Sequence, residues 1–213
     1  MSETAARRLA HMFDAVSASL EAERDRLSEL DGAIGDGDHG TTMALGFQVV
    51  RTELSKLNLD ETDISTVLNT AATAFINAVG ASTGPLYATG FRRAAQATAG
   101  RNDLDLATCA TIIEAIGVGI RERGQGQRGD KTMLDAWLPA AEAAQSAVNE
   151  NQSASEFWDN VVSAASAGAN TTRSMIAAKG RAARLRERSL GHIDPGAAST
   201  VIILQAMADR YGY

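Results

Sequence analysis

Hydrophobic residues recur along most of the chain at intervals of three and four positions, the spacing that places side chains on one face of an α-helix. The first such stripe consists of Leu9, Met12, Phe13, Val16 and Leu20. Similar stripes cover residues 41–57, 64–78, 86–99, 106–120, 132–149, 153–179 and 197–210. The run 201–204 has a strand-like composition but lies within a helical stretch. The pattern predicts about eight helices and no strand.

We predict a single all-α domain that spans residues 1–213. A chain of this length with 45% hydrophobic residues can bury a substantial core. Its only three prolines are Pro85, Pro139 and Pro195, and no linker rich in proline, glycine or serine divides it. Cys109, Trp137 and Trp158 are expected to be core residues, the cysteine because it lies on an apolar stripe.

Charge and composition restrict the partners. The net charge of −6, from 26 acidic and 20 basic residues, repels nucleic acids and anionic membranes, so neither is expected as a partner. Any bound phosphate must be held locally. Because the sequence shows a single cysteine, no long apolar segment and no signal peptide, we expect a cytoplasmic protein without disulfides.

Glycine and polar residues cluster in four loops, at 31–40, 80–85, 124–131 and 180–196. By the helix count these loops follow the first, third, fifth and seventh helices. Alternate connections of an up-and-down bundle share one end. The four loops are therefore predicted to meet at the same end and to form one site there.

The first loop places Asp31, Asp36 and Asp38 among four glycines. Three carboxylates this close repel one another unless a cation lies between them. An EF-hand does not fit: a twelve-residue loop counted from Asp31 puts residues without ligand side chains at ligand positions, and one counted from Asp36 ends on Phe47. Magnesium completed by phosphate oxygens fits better. The alternative is an exposed turn, since aspartate and glycine are common turn residues.

The other loops suit phosphate contacts. Ser82 and Thr83 precede a helix predicted to begin near Pro85, where hydroxyls and amides can face an anion or simply cap the helix. Residues 124–132 nearly match a P-loop, but Asp130 interrupts the motif and an amphipathic helix precedes it instead of a strand, so we exclude a P-loop. The last loop carries arginines suited to phosphate or to a solvated surface, at positions 181, 184, 186 and 188.

Four motifs in order resemble one known family. They are Gly-Asp-Gly-Asp-His-Gly at 35–40, Gly-Pro-Leu-Tyr at 84–87, Gly-Asp-Lys-Thr-Met-Leu-Asp at 129–135, and Gly-Arg-Ala followed by Glu-Arg-Ser-Leu-Gly-His-Ile-Asp-Pro-Gly within 180–196. Together they are similar to the L subunit, or C-terminal ADP-binding domain, of dihydroxyacetone kinases. The resemblance implies an antiparallel barrel of eight helices with the nucleotide at one end.

The resemblance also implies which residues hold the nucleotide. It makes the ligands of two magnesium ions Asp31, Asp36 and Asp38. It puts near the phosphates of ADP or ATP His39, Gly40, Thr41, Thr42 and either Ser82 or Thr83. It places Gly124 and Met133 at the adenine. The residues that it expects to close over the nucleotide are Arg181, Asp194, Pro195 and Gly196. His39 and His192 suit a structural hydrogen bond as well as acid–base chemistry.

The implied activity is phosphoryl transfer to a ketose held by a separate K-type subunit. The sequence leaves open whether the phosphoryl donor is ATP or a phosphotransferase-system protein. It also leaves open whether the acceptor is dihydroxyacetone or a four-carbon ketose, and whether the chain forms a homodimer. Arg184 and Arg186 stand where relatives often carry tyrosine and glycine, which suggests adaptation to a different partner or ketose. Two alternatives remain: a non-catalytic regulatory or adaptor module, and the nucleotide domain of a fatty-acid kinase.

Overall fold

The structure is a computed structural model that describes residues 3–80 and 82–211. These residues form nine α-helices, two 3-10 helices and no strand. The α-helices are α1 (Ala5–Ala22), α2 (Arg24–Ile34), α3 (His39–Leu54), α4 (Ile64–Ala78), α5 (Thr83–Ala97), α6 (Leu106–Gly124), α7 (Leu134–Asn149), α8 (Ala154–Thr171) and α9 (Pro195–Tyr211). The 3-10 helices span Thr172–Ser174 and Ala182–Ser189. The all-helical prediction is confirmed.

Eight of the helices pack in a closed cycle of neighbours. α1 packs against α3, each helix from α3 to α8 packs against the next, and α9 returns to α1. Apolar side chains fill the centre, including an aromatic cluster of Phe13, Phe47, Phe75, Tyr87 and Phe91. Cys109, Trp137 and Trp158 are buried in the same core, as expected from the sequence.

α2 lies outside this cycle, against α3 and α9, and the hydrophobic pattern did not predict it. Only Leu27 and Ile34 are buried along this mostly polar helix, too few to form a visible stripe. Asp31 therefore lies in the last turn of α2. The prediction that a flexible loop carries all three aspartates was wrong for this residue.

The segment after α8 also differs from its prediction. A helix was expected to continue to residue 179, but α8 ends at Thr171. The Thr172 carbonyl accepts a hydrogen bond from Lys131 Nζ over 2.5 Å, and the Thr172 hydroxyl accepts the Asp194 N–H over 2.9 Å. These tertiary bonds compete with continuation of the helix. The predicted last loop contains the second 3-10 helix, and its end, from Pro195, belongs to α9.

No helix in the described part of the chain is long and apolar enough to cross a bilayer.

Candidate functional site

A pocket of about 600 Å³ opens where the four glycine-rich loops meet. Its wall includes Asp36, Ser82, Gly126 and Arg181, one residue from each loop. The loops lie in the connections α1 to α3, α4 to α5, α6 to α7 and α8 to α9. Because α2 falls inside the first of these connections, the four loops still lie on alternate connections of the eight-helix cycle, as predicted.

Four helices begin at this pocket: α3, α5, α7 and α9. The residues at the N-cap positions of α3, α5 and α7 make no side-chain cap hydrogen bond. Other side chains accept single N–H groups there: Asp31 accepts that of His39, and Thr132 Oγ1 accepts that of Leu134. By contrast, Thr4, Asp63, Asp105 and Ser153 cap the helices that alternate with them, α1, α4, α6 and α8. A helix N-terminus presents free N–H groups and a partial positive charge. The pocket is therefore suited to an anion such as phosphate.

Asp31, Asp36 and Asp38 converge on one wall of the pocket. Each offers a carboxylate oxygen, and these oxygens lie within 4.8 Å of one another. Asp31 Oδ2 accepts the backbone N–H groups of Asp38 at 3.0 Å and His39 at 3.3 Å, which fixes its orientation. Hard oxygen ligands with two exposed members fit a magnesium ion that also takes phosphate oxygens or water.

Glycine is required beside this cluster. A Cβ on Gly35 would lie 2.2 Å from Asp31 Oδ1. The close approach explains why the chain can turn sharply after α2 while the Asp31 carboxylate still faces the next two aspartates.

Arg181 reaches across the pocket from the last loop to the aspartates. Its Nη1 forms a salt bridge with Asp36 Oδ2 and lies 3.8 Å from Asp38 Oδ2. The contact joins the first and fourth loops over the pocket. A guanidinium at this position can also contact phosphate oxygens.

Apolar side chains also line the pocket, namely those of Pro85, Leu86, Ile120, Met133 and Leu134. The predicted adenine contacts Gly124 and Met133 belong to the same lining, and a Cβ on Gly124 would lie 3.0 Å from Leu86 Cδ2. The pocket thus combines charged and apolar side chains, as a ligand with phosphates and a planar base requires.

Most of the predicted site residues line the pocket, namely Asp31, Asp36, Asp38, His39, Thr42, Ser82, Thr83, Gly124, Met133, Arg181, Asp194, Pro195 and Gly196. Gly40 and Thr41 do not. Gly40 is buried under α2, where a Cβ would lie 1.9 Å from the Arg24 carbonyl oxygen, and Thr41 is exposed. Gly40 thus allows α2 to lie close to α3.

Three basic residues in the pocket were not predicted: Arg123, Lys131 and Lys179. Arg123 and Lys179 directly precede glycines of the predicted loops, and Lys131 lies within the Gly-Asp-Lys motif. Glycine neighbours were the available signal. A basic residue beside a glycine is nevertheless common on protein surfaces, so the signal is weak.

Two buried side chains that line the pocket, His39 and Asp194, have shifted pKa values. Burial lowers the pKa of His39 to about 4, and its Nε2 lies 2.9 Å from Ser199 Oγ. Burial raises the pKa of Asp194 to about 7, while its Oδ2 accepts the Ala197 N–H over 2.8 Å. His39 is therefore neutral at physiological pH and engaged in a structural contact. His192 is exposed, and its carbonyl accepts a hydrogen bond from Lys131.

Two known proteins are similar in sequence to this chain over most of its length. The ADP-binding subunit DhaL of a PEP-dependent dihydroxyacetone kinase 2 from Listeria innocua is 36% identical over 201 residues, covering 94% of this chain and 92% of that protein. The ADP-binding subunit DhaL of the PEP-dependent dihydroxyacetone kinase from Escherichia coli K12 is 38% identical over 189 residues, covering 89% of each chain.

A solved structure is also similar. The dihydroxyacetone kinase from C. freundii in complex with AMP-PNP and Mg²⁺ superposes with a TM-score of 0.71 at 25% identity. The match covers 94% of this chain but only 33% of the C. freundii chain. Residues 33–209 match the family model of the DAK2 domain. The chain belongs to the DAK2 domain family.

Proposed function

We propose that the chain is the ADP- or ATP-binding phosphotransfer subunit of a dihydroxyacetone-type kinase. The observation that carries the proposal is the meeting of three aspartates with the starts of α3, α5 and α7, whose N-cap residues form no side-chain cap, in one pocket. The names of the Listeria and E. coli relatives, both ADP-binding kinase subunits, support it. So does the nucleotide analogue and magnesium in the C. freundii complex.

Asp31, Asp36 and Asp38 would hold the metal, which we expect to be two magnesium ions. Bound there, magnesium would neutralise charge on the phosphates during transfer. Asp31 would be the most rigid ligand, because two backbone N–H groups already hold one of its oxygens. Asp36 and Asp38 are more exposed and can adjust to the bound phosphates.

The chain's own groups would orient the rest of the nucleotide. Backbone N–H groups at the starts of α3 and α5, with the hydroxyls of Thr42, Ser82 and Thr83, would face the phosphates. The adenine would lie against Gly124 and Met133, among the apolar side chains of the pocket. Arg181, with Asp194, Pro195 and Gly196, would close the pocket from the side of the last loop.

The ketose would be held by a K-type partner subunit. Arg184 and Arg186 are exposed on the 3-10 helix Ala182–Ser189, which follows Arg181 directly, and we assign the partner contact to this rim. We favour a phosphotransferase-system donor, since both subunit relatives are named PEP-dependent and ADP-binding. Such a relay would act in the cytoplasm.

The test is a reconstitution. Purified chain is assayed with dihydroxyacetone and with erythrulose, using ATP or a phosphorylated phosphotransferase protein as donor, with and without a K-type subunit. We expect turnover only with the K-type subunit present, and none with Asp36→Asn. Turnover by the chain alone would show that the ketose site lies here. An ADP that is bound but never phosphorylated in the full mixture would instead support the adaptor alternative.

A further inference from the structure

Lys131 is a buried lysine in an unusual backbone conformation. Its side chain is 1% exposed, and its φ of 59° lies in the left-handed region that residues other than glycine rarely adopt. Burying an ammonium group is unfavourable unless hydrogen bonds satisfy it. Strained backbone of this kind persists only where the surroundings enforce it, and it is common at functional sites.

The Lys131 ammonium joins two points that are distant in sequence. Its Nζ donates a hydrogen bond to the Thr172 carbonyl and another to the His192 carbonyl, each over 2.5 Å. Residues 172–192, which we call the arginine segment, lie between these two points and carry Lys179 and Arg181 into the pocket. One side chain therefore holds both ends of the arginine segment.

Neighbouring bonds secure the same segment. The Asp130 carbonyl accepts the Ala178 N–H over 3.0 Å, and the Thr172 hydroxyl accepts the Asp194 N–H over 2.9 Å. Within the segment, the Arg173 carbonyl accepts the Gly191 N–H over 2.8 Å. The loop before α7 and the base of the arginine segment thus form one hydrogen-bonded unit, in which Lys131 is the charged donor.

Lys131 does not form a salt bridge in the described residues, since its hydrogen-bond partners are backbone carbonyls. Burial lowers the pKa of Lys131, whereas the carboxylates of Asp194 and Asp135 raise it. Hydrogen bonds from a charged donor are stronger than those between neutral groups. A neutral side chain of the same length would therefore hold the segment less firmly.

We propose that Lys131 is a positioning residue that orders the arginine segment against the pocket before any ligand binds. By closing the base of the segment, it keeps Arg181 within reach of Asp36 and Asp38. The consequence for nucleotide binding rests on the function proposed above, but the ordering of the segment does not.

Hydrogen exchange of the nucleotide-free protein tests the ordering directly. In Lys131→Met, exchange of the Ala178, Gly191 and Asp194 amides is expected to accelerate at least about tenfold, while amides in the core of α4 change by less than about twofold. Lys56→Met is the matched control, because Lys56 is exposed and pairs with Glu53. It should leave both sets of amides unchanged. Lys131→Arg, which keeps a charged donor, should restore part of the protection.

A second measurement addresses the nucleotide. Dissociation of magnesium–ADP from Lys131→Met is expected to be at least about tenfold faster, since a closing segment acts mainly on the rate of release. If wild-type protein binds no magnesium–ADP, the proposed function fails, yet the exchange experiment still decides the role of Lys131.

Unchanged exchange in the arginine segment of folded Lys131→Met would overturn the proposal. Equal acceleration throughout the protein would overturn it as well, because Lys131 would then support the whole fold. Should Lys131→Met fail to fold, Lys131→Gln is measured by the same criteria, and Lys131→Arg is again expected to keep part of the protection. Failure of all three to fold counts against a role confined to the segment.

Discussion

Asp31 and Asp38 are joined by a hydrogen bond in which Asp31 Oδ2 accepts the backbone N–H of Asp38 over 3.0 Å. The bond ties the last turn of α2 to the start of α3. It does not involve the Asp38 side chain, which is 59% exposed and lies 3.8 Å from Arg181 Nη1. Asp31 thus orders the backbone of the cluster in addition to its expected metal contact, whereas the side chains of Asp36 and Asp38 make only exposed contacts with Arg181.

We predict that Asp36→Asn and Asp38→Asn each weaken magnesium-dependent ADP binding by at least about tenfold, or about 1.4 kcal/mol. Both side chains are exposed, so the melting temperature without ligand should change little. Asp31→Asn should lower both affinity and stability, because its carboxylate also accepts two backbone N–H groups. Titration calorimetry with magnesium and ADP measures the affinity.

Asp25→Asn is the control for these variants, since Asp25 lies on α2, as Asp31 does, with its side chain 91% exposed. It removes the same charge outside the pocket and should bind as the wild type does. Wild-type affinity in both Asp36→Asn and Asp38→Asn would contradict the metal assignment.

ADP or ATP with magnesium should raise the melting temperature, whereas calcium alone should not. A ligand that binds only the folded state adds about 2.7 kcal/mol at a hundredfold excess over its Kd. Thermal scans with and without each ligand check this, after the sample has been freed of nucleotide retained during purification. A shift with calcium alone, equal to that with magnesium and ADP, would indicate a calcium site instead.

The sequence predicted the helices well where apolar residues recur at helical spacing. It predicted them poorly where polar contacts determine whether a helix forms or where it ends. The stripe at 64–78 coincides with α4 because its apolar face packs into the core. α2 has no such face, and the end of α8 depends on bonds from Lys131 and Asp194, which are distant in the sequence. The contacts of Lys131 with the last loop could not be predicted, because its hydrogen-bond acceptors are backbone carbonyls, which every residue has.

Gly84→Ala should destabilise the protein by about 1–3 kcal/mol, the usual range for overpacking. A Cβ on Gly84 would lie 2.0 Å from the Val79 carbonyl oxygen, so the start of α5 would have to move. Gly80→Ala is the matched control in the same loop, since a Cβ there meets no atom of the described residues within 4 Å. Denaturant unfolding measures both variants. Equal stabilities would show that α5 can shift without cost.

Asp194 should make the nucleotide-free protein less stable as the pH rises. Its pKa in the fold is about 7, against an ordinary value of 3.8 for an aspartate, so between these two values the folded state binds more protons than the unfolded state. Each pH unit of that window costs up to about 1.4 kcal/mol. The contribution of protonated Asp194 to stability is complete below the pKa of the unfolded state. It is lost as the pH rises to and through the pKa of the folded state.

Asp194→Asn cannot ionise and should remove this pH dependence. The free energy of unfolding, measured for both proteins near pH 5 and pH 8, should therefore shift in favour of the variant at the higher pH. A difference between wild type and Asp194→Asn that stays constant with pH would show that Asp194 ionises normally in the fold.

The exposed arginines of the 3-10 helix should affect the partner more than the nucleotide. Arg184 and Arg186 do not line the pocket, and Arg186 has a φ of 52° and ψ of −124°, a conformation favoured by glycine. Arg184→Gln and Arg186→Gly should each weaken binding to the K-type subunit about fivefold and reduce its salt dependence, because charges at the rim of an interface act mainly on association.

Magnesium–ADP affinity should stay within about twofold of wild type in both variants, since neither side chain reaches the pocket. Arg186→Gly should also raise stability by about 1 kcal/mol through relief of backbone strain. Arg92→Gln, an exposed arginine on α5 outside the pocket, is the charge-matched control. Surface plasmon resonance over a range of salt concentrations measures partner binding. Weaker nucleotide binding with unchanged partner affinity would assign these arginines to the nucleotide site and leave the docking surface elsewhere.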